Sequence, residues 1–223
     1  MTMSAVGDYF DTIADEYDSF ALRAMPRYEE MLREIVRCLP DGPRDLLELG
    51  CGTGTLTAIL MRRYPEASLT AIDASAEMIE TARSRVPAKR VSFTVSLFED
   101  LDLSEGSFDL IGSNMSLHHI ADKGPFYKRL HEAMRPGGFF VLGDELAGAM
   151  SRIRELNWNG WLEFASREGH LGDEEIDRII EHEREFDHYE TLPDQIDLLR
   201  AAGFDSVDCV WRYLIYGVFV AQA

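Results

Sequence analysis

The chain has 223 residues, 46% of them hydrophobic, so it carries enough apolar material for one large globular core and too much for a disordered chain. Forty acidic residues against 22 basic ones give a formal net charge of −18, with no basic stripe, and a nucleic-acid phosphate backbone would be repelled. No apolar run reaches the ~20 residues of a membrane helix. The acidic N-terminus lacks a signal-peptide core, and Cys38, Cys51 and Cys209 have no paired spacing for disulfides or zinc. The expectation is a cytoplasmic protein, monomeric or homodimeric, with no nucleic-acid or membrane partner.

Residues 8–39 read as two helices. Tyr9, Phe10, Ile13, Ala14 and Tyr17 recur at helical spacing, and Met31, Leu32, Ile35, Val36 and Leu39 form a second stripe after Pro26. Short apolar runs then predict buried parallel strands at 45–49, 68–72, 91–95, 108–112 and 139–143, with helices at 55–64, 76–86 and 123–134 between them. Strict alternation implies right-handed crossovers and an α/β doubly wound sheet. Residues 147–190 break it with two helices. One carries Trp158, Trp161, Leu162 and Ala165; the other starts at Asp173, read as its N-cap. A helix over 191–202 closed by Gly203 and strands at 207–211 and 214–220 complete one domain, with a helical cap (1–40) and a helical insertion (147–190).

The stretch LLELGCGTG, residues 46–54, runs a strand into Gly50, Gly52 and Gly54. Such a turn offers backbone N–H groups and a helix N-terminus to a nucleotide. Asp73 ends the second strand 19 residues later, where a carboxylate accepts from ribose hydroxyls. The dinucleotide pattern G-x-G-x-x-G fails, because Thr55 or Thr57 stands where its third glycine belongs. Glu48 beside the loop would repel a pyrophosphate and accept from an ammonium group.

LLELGCGTG with AIDAS closely resembles the class I S-adenosylmethionine-dependent methyltransferases. YFDTIADEYD, FDLIGSNMSLHHI, MRPGGFFVLGDE and LLRAAGFDSV extend the resemblance over nearly the whole chain. It implies a seven-stranded, mostly parallel sheet with an antiparallel terminal hairpin, S-adenosylmethionine as cofactor and S-adenosylhomocysteine as product. By motif, Glu48, Gly50, Cys51, Gly52, Thr53 and Gly54 would form the loop around the methionine part and ribose. Asp73 and Ala74 would meet the ribose, and Met78 the adenine. Asn114 would lie at the same site. The family often places an acid after the third strand for the adenine amino group; here Leu97 stands there, so the backbone at Leu97 and Phe98, or else Glu99, would meet the adenine edge. Tyr17 would touch the methionine end.

The expected activity is methyl transfer to a small-molecule acceptor on oxygen, nitrogen or carbon. Non-methylating S-adenosylmethionine chemistry and a protein acceptor are the alternatives. Positioning carries most of such a reaction, and a general base is optional. His118, His119, Asp144 and Glu145 are the catalytic candidates; Asp144, Trp158 and Trp161 are the substrate candidates. EHEREFDH, residues 181–188, would let His182 meet Glu185 or Asp187, but a solvated charged face is expected there, and no metal.

Overall fold

Seven strands form one sheet in the computed structural model of the chain, which describes residues 3–86 and 89–223. The first two residues of the expected cap lie outside the described residues. The strands are β1 (Asp45–Leu49), β2 (Ser68–Asp73), β3 (Val91–Val95), β4 (Phe108–Asn114), β5 (Met134–Glu145), β6 (Ser206–Tyr213) and β7 (Tyr216–Gln222). Their order is β3-β2-β1-β4-β5-β7-β6, and only β7 runs against its neighbours. Helices α4 (Thr55–Arg63), α5 (Ala76–Arg85) and α6 (Lys123–Ala133) return the chain between the parallel strands, and α9 (Leu192–Ala202) leads into β6. Thr191 caps α9 by accepting from the Asp194 N–H, and Gly203 closes it at φ 114°.

The strands bury both faces, as parallel strands covered by helices must. Leu46, Leu110 and Val141 pack on one face against Met31, Ile35, Leu56 and Leu60. Leu47, Ile111 and Leu142 pack on the other against Tyr127, Leu130 and Leu199. Neighbouring residues of one strand thus serve opposite cores.

The N-terminal segment departs from the two expected helices and forms three: α1 (Met3–Asp11), α2 (Tyr17–Ala24) and α3 (Tyr28–Arg37). The break at residues 12–16 has a local cause. Thr12 Oγ1 donates to the Tyr9 carbonyl at 2.6 Å, a bond that competes with helix continuation. Asp11 is drawn away to α5, accepting from Ser75 Oγ at 2.5 Å and from the Glu77 N–H at 3.1 Å. The insertion holds α7 (Ser151–Arg167) and α8 (Asp173–Phe186). Gly172, not Asp173, caps α8, and its N–H is taken by Glu175 at 2.9 Å. Strands β4 and β5 run two residues past the apolar pattern, because pairing continues through Asn114↔Gly143 and Glu145↔Tyr216, and β5 also begins at Met134, five residues before the expected strand, where Met134 pairs with Phe108 ahead of an irregularity in register. Among the described residues no helix is long and apolar enough to cross a membrane.

Candidate active site

The three glycines serve three different needs. All have positive φ, 68° at Gly50, 51° at Gly52 and 84° at Gly54, which side chains resist. A Cβ on Gly50 would meet Ser116 Oγ at 2.3 Å, and one on Gly54 would press on Ala82 of α5 at 3.1 Å. A Cβ on Gly52 would meet nothing within 4 Å, so this residue alone opens onto empty space. Gly54 therefore serves helix packing and does not line the site, a correction to the expectation for the loop.

The space it opens onto is a cleft of about 750 Å³ at the carboxyl ends of β1, β2 and β4. Tyr17, Glu48, Gly50, Cys51, Gly52, Thr53, Asp73, Ala74, Met78, Phe98 and Asn114 all line it. Leu97 does not; Ser96 and Phe98 flank it toward the cleft, and Glu99 is exposed. Asp73 fixes the loop, accepting from the Gly52 N–H at 2.8 Å and the Ser75 N–H at 2.9 Å. Burial raises its pKa, opposed by those bonds. Glu48 is buried and pushed up to about 8 by that burial. Thr57 Oγ1 donates to its Oε2 at 2.7 Å, while Oε1 has no hydrogen-bond partner among the described residues. Asn114 Oδ1 is similarly unpartnered. Phe10 closes the cleft from α1, as expected of a helix that covers the cofactor pocket, while sequence reasoning missed Val6 of α1 and Tyr28 of α3. Neither Val6 nor Tyr28 belonged to an apolar stripe read from the sequence.

A second chamber of about 600 Å³ adjoins the cleft, and Phe10, Tyr17 and Met115 line both. Its wall holds Tyr9, Phe20, Met25, Trp161 and Tyr216 beside His118, Glu145, His182, Glu183 and Asp187. Trp161 is anchored there by an Nε1 donation to the Ala24 carbonyl at 2.9 Å. Trp158 faces a different cavity, with Ser151, Arg154 and Tyr189, and is not in the chamber. Asp144 also lies outside it. This buried carboxylate stands behind His118, Oδ1 to Nδ1 2.5 Å, and so orients a ring instead of meeting an acceptor.

Asp187 is the residue toward which the histidines point. Its Oδ1 lies 2.8 Å from His119 Nδ1 and 3.9 Å from both His118 Nε2 and His182 Nε2. The expected solvated face is thus divided: Glu181 and Glu185 are exposed, but His182 and Asp187 turn inward. Burial disfavours a charged His118, yet Asp144 and Asp187 outweigh it and hold the ring up at about 10. Burial lowers His119 and takes His182 down to about 4. It lifts Glu145 to about 7 and Glu183 to about 8.

A glycine cradle at a switch in strand order, an acid closing the next strand and a reversed β7 define a Rossmann-like methyltransferase fold. Residues 46–138 match the family model described as a methyltransferase domain, so over that stretch the chain is similar to the S-adenosylmethionine-dependent methyltransferases. The chain is 32% identical over 129 residues to a malonyl-[acyl-carrier protein] O-methyltransferase of Priestia megaterium, covering 58% of this chain and 47% of that protein. It spans about half the length of the first curated relatives it matches. A carboxy-S-adenosyl-L-methionine synthase of Nautilia profundicola is 22% identical over 219 residues, 96% of this chain and 93% of that one. The solved S-adenosylmethionine-dependent methyltransferase of Mesorhizobium loti superposes with a TM-score of 0.63 at 20% identity, covering 86% and 96% of the two chains, a likeness of fold.

Proposed function

We propose that the chain moves a methyl group from S-adenosylmethionine to a small-molecule acceptor held in the aromatic chamber. The observation that carries this reading is the shared wall of Phe10, Tyr17 and Met115, which sets a polar glycine cradle directly beside a second, aromatic-lined recess. The residues of the cradle fit the cofactor. Gly52 leaves open space where any side chain would intrude, and the unpartnered Oε1 of Glu48 can accept from an ammonium group. Asp73 would take the ribose hydroxyls with the carboxylate that now steadies the loop. Met78 and Phe98 would bracket the adenine, and Tyr17 would stand at the methionine end.

When bound, the cofactor supplies a methyl group on a cationic sulfur. The chain's part is to align the acceptor with that carbon and to exclude water, which can contribute about 7–11 kcal/mol. Phe10 and Tyr17 separate the two spaces and set the line of approach. Glu145 faces the chamber and is the candidate to hold an acceptor's proton or charge, with His118 beside it on the Asp144 carboxylate. His119 closes the cleft side of the same wall.

Calorimetry with S-adenosylhomocysteine tests the cradle, and incubation with S-adenosylmethionine and panels of amine, hydroxyl and carboxylate acceptors tests transfer by the S-adenosylhomocysteine released. Absence of cofactor binding would sink the reading. The Nautilia synthase, alike over 96% of the chain, favours a second reading in which the cofactor itself is modified. Mass spectrometry of the recovered cofactor separates the two, since only the second yields an altered sulfonium.

A further inference from the structure

Where the cleft meets the chamber, two consecutive imidazoles and one carboxylate converge. His118 and His119 occupy the short turn Leu117–His119, and their ring centroids lie 4.2 Å apart. Asp187 follows α8, and backbone bonds place it. The His188 N–H donates to the His118 carbonyl at 2.8 Å, and the buried Lys123 Nζ donates to the His188 carbonyl at 2.5 Å and the Ile120 carbonyl at 2.9 Å. That clamp lays Asp187 across both rings, and the three side chains are 3–7% exposed.

An ordinary ion-pair network would leave these atoms hydrogen-bonded. Here Asp187 Oδ1 and both ring nitrogens of His119 are buried with no hydrogen-bond partner among the described residues. His119 Nδ1 approaches Asp187 Oδ1 at 2.8 Å as an ion-pair contact. Buried polar atoms are rarely left so. Ligand atoms about 2.0–2.2 Å from a shared ion stand roughly 3–4 Å apart, and the separations from Asp187 Oδ1 are 2.8 and 3.9 Å. All three ligand atoms fall within 4.8 Å of one another. The support behind them has the matching form. Asp144 engages His118 Nδ1 at 2.5 Å and so aims Nε2 inward, as carboxylates behind metal-bound imidazoles do.

We propose that His118 Nε2, His119 Nδ1 and Asp187 Oδ1 bind one divalent first-row transition-metal ion, with His182 alongside and the chamber side open. Two imidazoles and a carboxylate suit such an ion and not calcium or magnesium, which prefer oxygen alone. His119 lines the cleft while His118, His182 and Asp187 line the chamber, so the ion sits on the boundary between them. Metal binding does not depend on the methyl-transfer reading. What does rest on it is the ion's use, which is to hold an acceptor's oxygen or nitrogen in its open position.

Cobalt(II) titrated into the full chain, stripped with chelator, reads the site by visible absorption and by metal content. One equivalent with an imidazole-ligand spectrum is expected. His119→Ala and Asp187→Asn should each lose it. Asp144→Asn should weaken it about 10–100-fold, and His170→Gln, on an exposed loop residue, should leave it unchanged. Should the ligand variants misfold, the unaltered chain still decides, because zinc that binds only the folded state must raise its melting temperature. A stripped, folded chain with neither a visible band in saturating cobalt nor a thermal shift in zinc overturns the proposal, as does unchanged cobalt binding in His119→Ala. Neither titration uses the cofactor, so S-adenosylhomocysteine calorimetry on the same sample separates failure here from failure of the methyl-transfer reading.

Discussion

Glu48 carries the most direct test at the scale of one residue. Its folded pKa of about 8 exceeds the ordinary 4.5, so near neutrality the folded chain holds a proton that the unfolded chain has released. Its contribution to stability therefore declines as pH rises from about 4.5 to 8. An ammonium group placed against Oε1 would favour the carboxylate and expel that proton. Binding of S-adenosylhomocysteine near pH 7 is expected to release close to one proton, read as a heat that varies with buffer ionisation enthalpy. Glu48→Gln should abolish that variation and weaken binding about 10–100-fold, the loss of one charge-assisted bond; an unchanged buffer dependence would remove Glu48 from the site. Gly52→Val should lose cofactor binding while still folding. Its Cβ would stand in the empty cleft, and the backbone strain of about 1–3 kcal/mol is bearable for a domain. Normal affinity in that variant would mean the cradle lies elsewhere. The glycine loop and Asp73 were legible because a tight turn and a strand-end acid leave marks at fixed spacing. Asp144 was legible as a strand-end acid, but not its turn toward His118, which only the packing of β5 against the Leu117–His119 turn determines. Trp158 and Trp161 share one helix stripe, and sequence cannot tell which ring a neighbouring element will cover.

The element with the most informative attachment is α1. Two carboxylates tie its end and the segment after it to α5: Asp11, the last residue of α1, at the N-terminal turn, through Ser75 Oγ and the Glu77 N–H, and Asp18 at the far end, through Arg85. Asp18 also accepts from Thr53 Oγ1 at 2.5 Å, so the strap is joined to the glycine loop itself. Gly7 lets α1 lie close on the next turn, since a Cβ there would sit 2.8 Å from the Ala74 carbonyl oxygen. The helix covers a cleft it must also open, so amides of residues 3–20 should exchange faster in the free chain than with S-adenosylhomocysteine. Gly7→Val should hasten exchange there and weaken binding with little loss of melting temperature. Equal exchange with and without ligand would make α1 permanent core. The strands other than β5, whose start lies five residues before its apolar run, and α4 to α6 were readable to within a few residues because buried apolar runs punctuated by glycine and proline are local signals. The break between α1 and α2 was not. It depends on Asp11 finding Ser75, 64 residues along the chain.

For the whole molecule, charge decides the response to salt. A net charge of −18 repels itself, and surface pairs such as Arg135 with Asp45 and Asp109 offset little of it. Raising salt from ~10 to ~150 mM shortens the screening length from about 30 to 8 Å, and the melting temperature should rise. A fall would mean that the ion pairs outweigh the repulsion. The doubly wound topology was legible as alternation, and the reversed β7 from its motif order, but the adjacency of cleft and chamber was not. It arises from α1, α2, α8 and the ends of β4 and β5 meeting in space, and no sequence interval records that meeting. The two carboxylate ties have a kinetic consequence for the assembled molecule. If the segment holding these two ties must move for a ligand to leave, residence time is expected to depend on that motion through solvent as well as on the ligand's own contacts. Turnover limited in this way slows in proportion to solvent viscosity, and Asp11→Ala, by loosening one tie, would shorten the residence of S-adenosylhomocysteine and flatten that dependence.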